Sequence, residues 1–209
     1  MAYIPPIALT YTNLLKFLSL LTPFLLSFYI VISNILTNTP MKAIIYLFGI
    51  IMLSGLNTLL KGFVKSYQSP LASPLCNVLP YPFTQRDSSQ TGAILNSPSL
   101  VTTIISFTLS FMIYPMTIKK EVNTMFLIFM IILMIINISV ELSGYCSTPS
   151  GIFLGIVSGG FIGVIYYLML KTTGYGDIAY MTQFNTNNIQ CGKAGKTTFK
   201  CTKKAPIVA

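Results

Sequence analysis

Five apolar blocks organise this chain, and each is long enough to cross a bilayer, which takes roughly 20 residues as helix. They run over about 14–36, 43–60, 98–118, 122–141 and 152–170. Hydrocarbon offers no water to backbone N–H and C=O groups, so each block is read as a helix that satisfies its own backbone. Apolar residues make up 53 % of the 209, against thirteen Lys and Arg and four Asp and Glu. A single soluble core cannot bury so much apolar surface. The predicted fold class is all-α: a polytopic transmembrane helical bundle of about five spans within residues 1–171, followed by a polar, basic tail over 172–209. The first block is too long for a secretion signal and lacks a small-residue cleavage site, so it is expected to stay as a span.

Lysine placement sets the expected orientation. Lys16, Lys61, Lys65 and Arg86 fall on the N-terminal side, while Lys42, Lys119, Lys120, Lys171 and five tail lysines fall on the other. Positive charge near span ends is retained on the cytoplasmic face, so the tail is expected there. Cys76 and Cys146 then share the non-cytoplasmic side, where an oxidising compartment would let them pair. Cys191 and Cys201 lie together in the tail. Two disulfides, Cys76–Cys146 and Cys191–Cys201, and four independent thiols are both compatible with these positions. A metal centre is not expected, because the chain has no histidine and its cysteines divide between two sides of a membrane. The connection 61–97 is too apolar for a linker and too broken by Pro70, Pro74, Pro80 and Pro82 for a helix. An ordered external loop capping the membrane surface is predicted.

Three stretches stand out in this frame: Lys61 with Ser69-Pro70, Pro98-Ser99-Leu100-Val101, and Gly144-Tyr145 with Gly151 and Gly155. In this pattern the chain resembles the type 2 phosphatidic acid phosphatase superfamily. That family carries Lys followed by Arg-Pro at a span end, Pro-Ser-Gly-His opening the next span, and Ser-Arg, His and Asp leading into a glycine-rich last span. Here Lys61 is followed by Ser69-Pro70, and Pro98-Ser99-Leu100-Val101 opens the third span. Gly144-Tyr145 stands at the Ser-Arg position, and Gly151 and Gly155 near the His and Asp positions. All three regions fall on one predicted membrane face. The resemblance implies a degenerate, inactive member, of the kind found among membrane proteins of large double-stranded DNA viruses. The family's chemistry needs one histidine as nucleophile and another as general acid, and Val101 and Gly151 can do neither. Ser69 and Tyr145 replace the arginines that would clamp the phosphoryl group. Lys61 and Ser99 remain, with at best weak phosphate binding.

Other constellations add no catalytic site. Asp87, Glu121, Glu141 and Asp177 lie in four segments and form no carboxylate pair. Gly174-Tyr175-Gly176-Asp177 superficially resembles a potassium-channel filter, but it follows the last span without a pore helix and is read as a turn. Glu141 is expected to reach the interface from its span end, and Asn57 and Asn137 to bond between helices. Gly151, Gly155, Gly159 and Gly163 recur every four residues and give the fifth span a smooth face. That face is read as packing against the chain's own helices, with self-association as the alternative.

The tail is polar and carries Lys193, Lys196, Lys200, Lys203 and Lys204; such a composition does not order itself. Its lysines suit docking onto an acidic protein surface or anionic headgroups. Tyr180 and Phe199 are too few for base stacking, which argues against specific nucleic-acid recognition. The expected function is therefore non-enzymatic and without cofactor: a structural membrane protein docking a bilayer to neighbouring, capsid-type proteins. On the viral resemblance, the bilayer would be the internal membrane of a large DNA virus. A phosphatase-like or lipid-binding protein is the alternative, and a small channel or transporter subunit the third reading.

Overall fold

A computed structural model of the chain describes residues 10–79, 82–86, 93–120, 122–176, 189–194 and 198–203. Five helices carry the architecture: α1 (Tyr11–Leu36), α2 (Pro40–Val64), α3 (Leu100–Ile118), α4 (Thr124–Ser143) and α5 (Pro149–Thr172). All five are long and apolar enough to cross a membrane, and the protein is an integral membrane protein.

Four of the five helices begin at a side-chain cap. Thr10, Ser99, Asn123 and Thr148 accept hydrogen bonds from the backbone N–H of Asn13, Thr102, Phe126 and Gly151. These side chains satisfy N–H groups that have no partner in the first helical turn. Pro40 and Pro149 open α2 and α5, where proline's missing N–H costs nothing. Lys65, with φ of 45°, closes α2 by donating its N–H to the Lys61 carbonyl at 3.0 Å.

Helix α3 is the centre of the bundle, and α5 lies along it. The glycine stripe explains how closely. A Cβ at Gly155 would stand 3.0 Å from the Ser99 carbonyl oxygen, and one at Gly163 would stand 2.8 Å from that of Phe107. At Gly159 it would collide with the carbonyl oxygen of Thr103. The stripe therefore faces α3 of the same chain, the first of the two readings above. Toward the tail end, Tyr46, Phe107, Phe111 and Tyr166 form an aromatic cluster with ring centroids 5.6–6.5 Å apart.

The described residues of the long connection pack as a cap. It contains a 3₁₀ turn (Pro74–Asn77) and a short antiparallel pair, β1 (Gln85–Arg86) with β2 (Ile94–Leu95). A disulfide joins Cys76 to Cys146, with Cα atoms 5.3 Å apart, tying the cap to the α4–α5 turn. The Ser73 N–H donates to the Gly144 carbonyl at 2.9 Å beside it.

Two expectations are corrected. The cap starts after Val64, not at Lys61, because α2 continues a further turn and carries Lys61 into the bundle. The tail is not without structure: β3 (Ile189–Ala194) and β4 (Thr198–Lys203) pair as an antiparallel hairpin whose register sets Cys191 opposite Cys201. Lys193, Lys200 and Lys203 lie on its strands, while Lys196 and Lys204 lie outside the described residues.

Candidate functional site

The polar groups of the bundle gather where the cap meets the helices. On α2, Asn57 and Lys61 are one turn apart, and on α4 so are Asn137 and Glu141; all four are buried. A spacing of four places each pair on one helix face. Between them stands the start of α3, with Ser99, Thr102 and Thr103.

Glu141 is the hub. Its Oε1 accepts from the Ser99 hydroxyl at 2.8 Å, the Thr102 hydroxyl at 3.1 Å and the Asn137 amide at 3.0 Å. Its Oε2 is buried and has no hydrogen-bond partner. Asn57 donates to the Thr103 hydroxyl at 3.0 Å, and that hydroxyl donates to the Ser99 carbonyl at 2.6 Å. Lys61 points into the cap and donates to the Phe83 carbonyl at 3.1 Å. Phe83 in turn stacks on Phe24 of α1, with centroids 4.7 Å apart. A cavity of about 50 Å³ lies at this junction, lined by Lys61, Ser99 and Glu141 from the helices and by Gln68, Asn77 and Asn96 from the cap side.

This overturns the expectation for Glu141. It does not reach the interface, because α4 runs two residues beyond it and turns it inward against α3. Of the phosphatase-motif positions, Lys61, Ser99, Leu100 and Val101 line the cavity. Pro98 is buried just before them, and Gly151 sits against α3's start, its carbonyl accepting the Ser99 N–H at 3.2 Å. Gly155 packs on the Ser99 carbonyl. Ser69 and Pro70 lie elsewhere in the cap, where Ser69 accepts from the Leu71 N–H, and Tyr145 is 58 % exposed on the α4–α5 turn. Lys61, Ser99, Leu100 and Val101 thus meet at one junction, whereas Ser69, Pro70 and Tyr145 lie away from it.

A phosphate at this junction would meet the Glu141 side chain as well as Lys61. Ser99 and Glu141 have the spacing of a nucleophile and its base. Yet Ser99 is also the cap of α3, and about 50 Å³ does not admit an ester beside it. Glu141 went unrecognised as a hub because a carboxylate near a span end is ordinarily interfacial. The two pairs at i, i+4, Asn57 with Lys61 and Asn137 with Glu141, were the available signal. No family model, curated protein or solved structure matches this chain.

Proposed function

We propose that this protein is a non-catalytic structural membrane protein, whose bundle is a rigid anchor and whose basic tail docks an adjoining protein assembly. The observation that supports this most is how its retained polar residues are used. Lys61 and Ser99, the two groups suited to a phosphate, each already hydrogen-bond within the protein, to Phe83 of the cap and to Glu141. Disulfide, glycine seam and buried network all fasten the molecule to itself.

The finer reading is that the bilayer is the internal membrane of a large DNA virus and the assembly its capsid shell. It rests on the Ile-, Asn- and Lys-rich style of the sequence and on the resemblance stated above. In this reading the hairpin and tail lie on the face that was cytoplasmic at insertion, and the cap lies opposite.

The test removes residues 172–209 and follows the native complex by cross-linking and co-purification. The truncated protein should still insert and fold, since the spans carry their own insertion energy, but should leave the assembly. Replacing the five tail lysines with Gln should give an intermediate loss, and wild-type association should weaken with salt, as exposed charges are screened within about 10 Å at 0.1 M. Unchanged stoichiometry after truncation would refute tail docking. Phosphate release from phosphatidic acid above a detergent blank, abolished by Lys61→Ala, would restore the enzymatic alternative.

A further inference from the structure

We propose that the cavity between cap and bundle is a hydration site, in which a small water cluster bridges the Lys61 ammonium to the Glu141 carboxylate and so latches the cap to the helices. The inference does not depend on the docking role proposed above.

Unspent hydrogen-bonding capacity is the first observation. An ammonium offers three donors, and Lys61 gives one to the Phe83 carbonyl at 3.1 Å. Glu141 concentrates three donors on Oε1, while Oε2, with the Ser147 hydroxyl nearby, makes no hydrogen bond of good geometry, though the residue is only 1 % exposed. A buried carboxylate oxygen without a partner carries a full desolvation penalty, so it calls for a donor. Both residues line the same cavity.

Size and charge then select the ligand. A water needs at least ~10–15 Å³ and two to four polar partners. About 50 Å³ therefore admits a few waters, and Gln68, Asn77, Asn96 and Ser147 supply further polar atoms around it. A phospholipid headgroup is too large. A metal cation would face the lysine, and a free anion the glutamate. A water can accept from the ammonium and donate to the carboxylate at once, and it is small enough for the space.

The consequence is mechanical. Lys61 holds the cap through Phe83, and the waters hold Lys61 to Glu141, which α3 and α4 fix in place. The experiment is a structure of the full chain in lipid nanodiscs at a resolution that shows water. Density is expected at about 2.7–3.2 Å from both the Lys61 Nζ and Glu141 Oε2. An empty cavity, direct contact between the two charged groups, or elongated lipid density would overturn the proposal. Independently, Lys61→Met should let protease cut the 65–99 connection about tenfold faster while the spans stay folded, because cleavage tracks the open population. An unchanged cleavage rate in folded Lys61→Met protein would refute the latch. Should that variant not fold, the wild-type density alone decides.

Discussion

Helices α3 and α4 are neighbours in sequence and nearly equal in length, at 19 and 20 residues, yet they occupy opposite positions in the molecule. Within its most apolar stretch α3 is 67 % buried, whereas α4 is 17 % buried. The order is the reverse of their hydropathy, since α4 is the more apolar of the two. In water, the more apolar helix would be expected inside. In lipid, exposing Ile, Leu and Phe costs nothing, so burial goes to the helix with most to gain from protein contact. Helix α3 carries Thr102, Thr103, Ser106 and Thr108, all buried, and small hydroxyl side chains allow close approach. Helix α4 turns only Asn137, Glu141 and Met130 fully inward and leaves the rest of its surface for lipid.

Three tests can break or sharpen this contrast. The largest effect is expected at the α3–α5 seam. Gly159→Leu would drive a side chain into the Thr103 carbonyl oxygen. Ordinary overpacking costs about 1–3 kcal/mol; a backbone obstacle cannot rotate away, so loss of the folded bundle is expected in thermal melts in detergent. A variant melting within error of wild type would mean that α5 does not lie on α3.

The buried polar groups come next. Asn57→Leu removes the donor to Thr103 and should cost about 0.6–1.7 kcal/mol, the range for interhelical hydrogen bonds in membranes. Reversible unfolding in mixed micelles measures it. A stabilised variant would show that α3 is central through shape alone, with its hydroxyls incidental.

The smallest effect is expected on the outer face of α4. Ile132, 50 % exposed, and Phe129, 53 % exposed, should each tolerate Ala with less than ~0.5 kcal/mol of change. Comparable substitutions of the buried Phe107 or Phe111 on α3 should cost ~3–5 kcal/mol. Equal sensitivity of the two helices in one unfolding series would erase the distinction, and would point to a partner chain covering α4.

Much of this was legible without the fold. The five spans agree with the observed helices to within a few residues at each end, and the glycine spacing identified the face that meets another backbone. Glu141 was misread, and the span ending near Lys61 was drawn a turn short. Glu141 stands near the end of an apolar run, where a charge ordinarily reaches headgroups. Whether it does depends on how far the helix continues and what covers it. Helix α2 gains a turn beyond Lys61, and the cap supplies the Phe83 carbonyl from 22 residues away. No local pattern announces that acceptor. The tail hairpin escaped for a related reason: its polar strands carry no alternation that distinguishes them from a linker.

What the sequence determined by itself is the number of spans and the existence of a close-packed seam. Insertion of a helix into lipid is a sum over its own residues, and a glycine every fourth position makes a smooth face whatever lies opposite. Tertiary structure alone decided which helix is central, which charges are buried and where the cap is latched. Those outcomes depend on donors and acceptors contributed by different segments. Glu141 is held by Ser99 and Thr102, 42 and 39 residues before it, and a buried polar atom is settled only by partners that folding brings to it.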